Sequence, residues 1–277
     1  MSLQTECMVL NMQVGLWMGY RLDKTTTKKV TDEADAAPDA ARVNKHIIPK
    51  EALKDIVQAG GAVRTHFYTN TLPWKDNGDR LITRSRFITF MPEYQLLVEK
   101  FTQATEDFLI TKYITAMSQA EFRMGELFNA SDYPTIGELR HKFYVNLDID
   151  GVAIAYDFRL NDNESVIQAR VTQAMEGLWE KLAKPLEHFA EKMGEDGAIR
   201  LHETTLTNLR AVADAIPDLN FLQDPKLDIV RERVIKMIGA LDIKELRKDT
   251  DARKALSDEA TDILEGMRGF MTAMGNG

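Results

Sequence analysis

The feature that most constrains the fold of this chain is a run of apolar residues in its carboxyl-terminal half, spaced as on one face of a helix. The run comprises Val171, Met175, Leu178, Leu182, Leu186, Phe189 and Met193. Because intervals of three and four residues match the helical period, the run predicts a long helix that begins near Asn163 and packs along a continuous seam against another helix. Pro185 lies inside the run and predicts a kink.

The rest of the carboxyl-terminal half also has helical patterns, and we find no convincing strand in it. Helices are predicted over about 199–216, 226–239 and 257–273. The helical methionines and phenylalanines of this half suit core packing, and the alternative is an adaptable partner surface. These residues are Met175, Phe189, Met193, Met267, Phe270, Met271 and Met274. If the last group were exposed, it would be the place to expect self-association.

The amino-terminal half has the patterns of strands and turns. Residues 7–22 are apolar with partial alternation, which predicts a strand, or a strand followed by a turn. The sequence DNGD at 76–79 is a strong turn signal, since Asn and Gly tolerate positive φ, and the flanking TLPW and RLITRSRFITFM read as the arms of a hairpin. A second hairpin is predicted from FYVNLDI and VAIAYDFRL, which are separated by Asp150-Gly151.

Helices and a polar segment separate these strands. Residues 24–41 change from basic to acidic and predict a mobile helix or loop that Pro38 breaks. Residues 49–68 predict a helix, Pro92 is expected to open one of about 25 residues, and a short helix should follow Pro134. The predicted class is α+β, with an amino-terminal antiparallel β-hairpin or sheet element and a carboxyl-terminal half of long helices. Residues 1–160 form the mixed part and 161–277 the helical part, and we expect them to pack as one unit.

Composition and charge exclude several classes of protein. The net charge of −8 argues against a dedicated duplex binder, which needs a basic excess to neutralise phosphates. No apolar run approaches the roughly 18 residues that a membrane helix requires. The single cysteine, Cys7, excludes an internal disulfide framework and is expected to be buried. The start of the chain lacks the pattern of a secretion signal, so we expect a cytoplasmic protein.

The common catalytic motifs are missing from the sequence. There is no GxxxxGKS/T, no GxGxxG after a strand, no GxSxG and no HExxH. Asp148 and Asp150 could coordinate a divalent cation, but acidic residues beside a glycine more often close a turn. The five histidines have no metal-ligand spacing. We therefore expect a protein that is not an enzyme, with no catalytic residues, no metal site and no cofactor.

The candidate binding site is a cluster of aromatic and cationic residues around the first hairpin. Its members are Phe67, Tyr68, Trp74, Arg80, Arg84 and Arg86. On a strand, the three arginines would share one face. Arginines track phosphates while aromatic rings stack on bases, so this mixture suits single-stranded nucleic acid, and it also suits an acidic protein surface. The alternative is structural: Trp74 would fill the edge of the core, and the arginines would pair with helix carboxylates such as Glu93 or Glu99.

Several segments together carry a resemblance to a known family. They are RLDKTTTKKV, RVNKHIIPKEALKDI, HFYTNTLPWKDNGDRLI and LFNASDYPTIGELRHKFYVNLDI, with helical segments after them to about residue 240. The chain resembles an uncharacterised domain-of-unknown-function family of bacteriophages, conjugative plasmids and integrative elements. Its TLPWxDxGxRL motif is matched here by Thr71 to Trp74, Asp76, Gly78, Arg80 and Leu81. The family implies no catalytic residues.

The resemblance also implies partners, because genes of this family often lie near those of a MoxR-like AAA+ ATPase and a von Willebrand factor A protein. We therefore expect a non-enzymatic assembly or adaptor protein of a phage or mobile element that acts with such an ATPase and forms a homo-oligomer through its long helices. The alternative is a single-stranded nucleic-acid-binding or annealing accessory in replication and recombination. An unrecognised hydrolase or nuclease is a third class.

Overall fold

The computed structural model of the protein describes residues 3–152, 163–194, 202–239 and 241–275. Within these ranges the α-helices are α1 (Leu3–Glu6), α2 (Lys24–Glu33), α3 (Lys50–Asn70), α4 (Arg84–Asp107), α5 (Tyr113–Ser118), α6 (Ala120–Met124), α7 (Ile136–Arg140), α8 (Asn163–Gly194), α9 (Glu203–Leu219), α10 (Pro225–Ile238), α11 (Ile243–Leu246) and α12 (Thr250–Gly275). The strands are β1 (Cys7–Gly15), β2 (Tyr20–Leu22), β3 (Asn44–His46), β4 (Leu72–Pro73), β5 (Arg80–Thr83) and β6 (Tyr144–Gly151). A π-helical turn, Phe108–Lys112, follows α4. This arrangement confirms the predicted α+β class.

The chain forms two compact units. The first unit comprises Met1–Asn11, Phe67–Met91 and Asp148–Gly277, and the second unit comprises Met12–His66 and Pro92–Leu147. Each unit is assembled from segments that are distant in sequence. The expectation that residues 1–160 and 161–277 pack as one unit stays a prediction. None of the helices in the described ranges is both long enough and apolar enough to span a membrane.

The four-stranded sheet contains the predicted first hairpin. The strand order is β4–β5–β1–β6, and β5 pairs antiparallel with both β4 and β1. The turn between β4 and β5 is closed by the backbone N–H of Trp74, which donates to the carbonyl oxygen of Asp79 at 3.1 Å. Gly78 has φ +94°, the conformation that the DNG sequence predicts. The first arm of the second predicted hairpin is β6, and its second arm, 152–160, falls almost entirely outside the described residues.

The helices of the first unit pack around the predicted seam of α8. Its residues Met175, Leu178, Leu182, Leu186, Phe189 and Met193 are buried, and Val171 is partly buried against the same core. Helix α8 lies against α9 and α12, which confirms that the seam packs on other helices. Met267 is also buried, and Phe270 and Met271 pack against this core, so these residues serve core packing rather than a partner surface. Pro185 lies inside α8, and the kink stays a prediction.

The predicted second arm of the first hairpin is too long. Strand β5 ends at Thr83, and α4 begins at Arg84 rather than at Pro92, which lies inside the helix. The hydroxyl oxygen of Thr83 accepts a hydrogen bond from the backbone N–H of Arg86 at 3.2 Å. Thr83 therefore caps the helix at its amino terminus, and this cap ends the strand where alternation alone predicts that it continues.

The second unit combines helices with a small antiparallel sheet, β2–β3, in which Arg21 lies opposite Lys45. The segment predicted to be a mobile helix or loop contains an ordered helix, α2, whose cap Asp23 accepts from the backbone N–H of Thr26 at 2.8 Å. The helix predicted after Pro134 is α7, which has a capping box of Thr135 and Glu138. The core contains an aromatic cluster of Trp17, Phe108, Tyr113 and Phe143, with ring centroids 5.7 to 6.3 Å apart.

Candidate functional site

The three aromatic residues of the predicted binding cluster differ in their exposure to solvent. Phe67 and Trp74 are only 1% and 2% exposed, and Trp74 belongs to the main core of the first unit. The Tyr68 ring, by contrast, is on the surface with 52% exposure. The prediction that Phe67 and Trp74 contact a ligand is therefore wrong, because turn geometry carries Trp74 inward and the helical period carries Phe67 to the buried face of α3. Of the three rings, Tyr68 has a face that a ligand can reach.

The three arginines do not form the stripe that a continuous strand would give. Arg80 is on β5, whereas Arg84 and Arg86 are on the first turn of α4. The predicted alignment is wrong because the Thr83 cap starts the helix between Ile82 and Arg84. Side chains on a helix follow a period of 3.6 residues, so Arg84 and Arg86 point in different directions.

Arg86 has a structural role in the first unit. Its Nε donates to Asn70 Oδ1 at 2.7 Å, and its Nη1 pairs with Asp218 Oδ2 at 3.2 Å. These contacts tie the end of α3 to the start of α4 and the end of α9. The carboxylate is not one of the expected partners, Glu93 or Glu99. Arg84 is exposed, and its side chain makes no hydrogen bond or ion pair within the described ranges.

Arg80 is held against the exposed tyrosine. Its Nε donates to Thr71 Oγ1 at 2.6 Å, and its Nη2 donates to the backbone oxygen of Thr71 at 2.8 Å. Its guanidinium carbon lies 4.8 Å from the centroid of the Tyr68 ring, which is the distance of a cation–π contact. Burial lowers the pKa of the Arg80 guanidinium from its usual value, and the nearby Tyr68 opposes that shift. The orientation of this arginine is thus set by two neighbouring residues.

Lys181 on α8 completes the cluster and was missed in the sequence analysis. Its Nζ donates to the backbone oxygen of Tyr68. Burial, followed by repulsion from Arg80, lowers the pKa of the Lys181 ammonium to about 8. We call Tyr68, Thr71, Arg80 and Lys181 the Arg80–Lys181 cluster. It is a group of two cations close enough to repel each other, and an exposed ring lies beside Arg80.

A glycine one turn earlier on α8 explains how Lys181 reaches this position. A Cβ atom at Gly177 would lie 2.8 Å from two ring carbons of Pro73 on β4. Because real Cβ contacts are longer, only glycine lets α8 approach β4 so closely. Lys181 lies four residues after Gly177, on the same side of α8, and this position brings it to the end of α3. A glycine inside a long helical pattern is therefore the sequence signal that could have identified this site.

A second feature, on the second unit, is an apolar surface. Ile110, Ile114, Met117 and Phe122 are 62%, 51%, 45% and 96% exposed. The first three recur at intervals of four and three residues along the π-helical turn and α5, and the opposite face is buried through Phe108 and Tyr113. Phe122 follows on α6. We call these four residues the apolar ridge.

The remaining candidate groups have ordinary surroundings. Cys7 is fully buried, and burial raises the pKa of its thiol to about 12, so it behaves as the small buried side chain that was predicted. Asp148 and Asp150 are exposed on β6. No group of three or more His, Cys, Asp and Glu side chains is placed to hold a metal ion in the part of the chain that the structure describes.

Comparisons of this chain with protein-family models, with curated proteins and with solved structures find no match.

Proposed function

We propose that this protein acts by binding, as an assembly or adaptor protein of a phage or mobile element whose partner is an AAA+ ATPase. The partner comes from the family resemblance described above. The single observation that carries the adaptor function is the apolar ridge, because a group of large exposed apolar side chains on a folded protein is typical of a protein-binding surface.

The geometry of the apolar ridge suits a protein partner. Phe122 is almost fully exposed, so a partner that covers it would stabilise the complex. Burying a large apolar side chain contributes roughly 1.5–3 kcal/mol to binding. Ile110, Ile114 and Met117 extend the surface along one line, as the anchors of a helix or groove contact do. A few large residues at the centre of an interface commonly supply most of its binding energy. The ridge provides such a set between residues 110 and 122, on the π-helical turn, α5 and α6.

Charge introduced into the ridge should weaken binding to the partner. We expect Ile114→Glu to weaken co-purification with a MoxR-like AAA+ ATPase, and with the von Willebrand factor A protein encoded beside it, by at least about tenfold, because the glutamate would lose its hydration at the contact. The measurement is retention of the co-expressed ATPase on the tagged protein, followed by titration of the purified components.

A matched control is available in the first unit. Ile229 is 59% exposed on α10, so Ile229→Glu makes the same chemical change away from the ridge and should leave binding unchanged. If the unaltered protein retains no ATPase, the adaptor function is wrong. If Ile114→Glu instead dissociates a homo-oligomer seen by analytical ultracentrifugation and no ATPase is retained, the ridge joins copies of this chain.

The second candidate function is binding of single-stranded nucleic acid. It is favoured by the Arg80–Lys181 cluster, which presents two cations beside the exposed Tyr68 ring. Cationic groups attract the phosphate backbone, and stacking of a base on an aromatic ring contributes roughly 1–3 kcal/mol. Because the net charge is −8, any such contact is confined to a local surface.

Fluorescence anisotropy with a labelled single-stranded oligonucleotide tests this candidate. Binding should weaken as salt rises and should fall by about fivefold or more in Tyr68→Ala, which removes the stacking surface. Arg233→Gln is the control, because Arg233 pairs with Asp262 at 2.7 Å elsewhere in the first unit. Absence of binding at low salt would eliminate this candidate.

A further inference from the structure

The Arg80–Lys181 cluster has positive charge that its described surroundings do not neutralise. Within the described ranges, no carboxylate forms an ion pair with Arg80 or Lys181, and their hydrogen bonds go to backbone oxygens and to one hydroxyl. By contrast, Arg86 in the same unit pairs with Asp218. Two like charges side by side in a partly buried position destabilise a fold unless an anion offsets them.

The two cations also retain donors that are not in use. A guanidinium has five N–H donors, and two of those on Arg80 are used at Thr71, so three remain. An ammonium has three, and one on Lys181 is used at Tyr68, so two remain. The bonds that are made hold both side chains in place. An anion that binds between them would therefore meet donors that are already oriented.

From this geometry we infer that Arg80 and Lys181 form a binding site for a dianionic phosphate group, either free inorganic phosphate or a phosphomonoester. The two positive charges match the two negative charges of the dianion. The tetrahedral arrangement of its oxygens can accept from a guanidinium edge and an ammonium together, whereas a carboxylate offers two oxygens and a single charge. The exposed Tyr68 ring lies beside Arg80, where the base of a nucleotide could stack.

This inference does not depend on the adaptor function, and it goes beyond the nucleic-acid candidate, because a phosphodiester chain carries one charge per phosphate. The depressed pKa of Lys181 agrees with it, since burial and repulsion from Arg80 both disfavour the charged ammonium. A bound dianion would supply a counter-charge and raise this pKa.

Isothermal titration calorimetry at constant ionic strength tests the site with three probes: inorganic phosphate, a nucleoside 5′-monophosphate and an unphosphorylated single-stranded oligonucleotide. The first two should bind, and Lys181→Met should weaken them at least tenfold because it removes a charge-assisted donor. Lys184→Met is the matched control and should change nothing, since Lys184 lies on the same helix with its ammonium paired to Glu180 at 2.8 Å. Arg80→Lys, which keeps the charge but loses the paired N–H donors of the guanidinium, should also weaken binding.

The probes distinguish the sources of the phosphate. If the monophosphate binds more tightly than inorganic phosphate, and Tyr68→Ala removes this preference, the ligand is a nucleotide-like monoester. If the two bind equally, the ligand is free phosphate. If neither binds, or if Lys181→Met and Lys184→Met bind equally well, the inference is overturned. If the oligonucleotide binds while phosphate and the monophosphate do not, the phosphate site is wrong and the nucleic-acid candidate stands.

Discussion

Replacement of Trp74 by alanine is expected to lower the free energy of unfolding by about 3–5 kcal/mol, as large-to-small changes at buried aromatic residues do. Trp74 is 2% exposed and belongs to the same core as Leu72, Leu81 and Leu178. Removing its indole would leave a cavity between the β4–β5 hairpin and α8, which pack together in the first unit. Denaturant unfolding, followed by circular dichroism, measures the loss.

Tyr68→Ala is the control for this change, because it removes an aromatic ring from the same region at a position that is 52% exposed. Tyr68→Ala should lower the free energy of unfolding by less than about 1 kcal/mol. This figure includes the loss of the cation–π contact to Arg80. Equal destabilisation by the two variants would contradict the assignment of Trp74 to the core. A Trp74→Ala protein as stable as the unaltered one would also contradict this assignment.

The second large effect is a gain in stability from Lys181→Met, and it depends on pH. In the folded protein the Lys181 pKa is about 8, whereas the ordinary lysine value is 10.5. Below pH 8 the ammonium is charged in both states, and its burial costs the folded state up to about 3 kcal/mol. Between pH 8 and 10.5 the unfolded chain holds this proton more tightly, so the contribution of Lys181 to stability rises with pH. Above pH 10.5 Lys181 is neutral in both states, so the cost of burying its charge disappears.

Lys181→Met should therefore be more stable than the unaltered protein at neutral pH, and the two stabilities should converge as pH approaches 10.5. The groups that the structure places against Lys181 are Arg80 and Tyr68, and both are present in the two proteins. Tyr113, whose pKa burial raises to about 12, also lowers stability in alkali, but it does so equally in both. The measurement is the difference in unfolding free energy across this range. A difference that does not change with pH would contradict the assignment, and Lys184→Met should show no gain at all.

The phosphate site and this stability effect have the same cause. A binding site for an anion holds charges that destabilise the empty protein, so a variant that loses binding should gain stability. Saturating phosphate should accordingly stabilise the unaltered protein more than it stabilises Lys181→Met.

The helices of the carboxyl-terminal half were predictable because their pattern is local. The seam of α8 repeats at the helical period, and a long helix must bury such a face wherever it lies. The turn at Gly78 was equally readable, because its positive φ is a property of the DNG sequence itself. The end of the hairpin was predicted wrongly because RLITRSRF alternates as a strand does. The hydrogen bond by which Thr83 caps α4 starts a helix there instead.

The fold class, the main helices and the turn of the first hairpin could be predicted, since each follows from the order and spacing of residues along a short segment. The burial of Trp74, the exposure of Tyr68 and the approach of Lys181 to Arg80, more than a hundred residues away in the chain, emerge only from tertiary packing. The physical reason is that burial and charge pairing depend on which segments meet in space. That meeting depends here on the close approach of α8 to β4 at Gly177, and although the glycine stands out in the sequence, the strand that it faces does not.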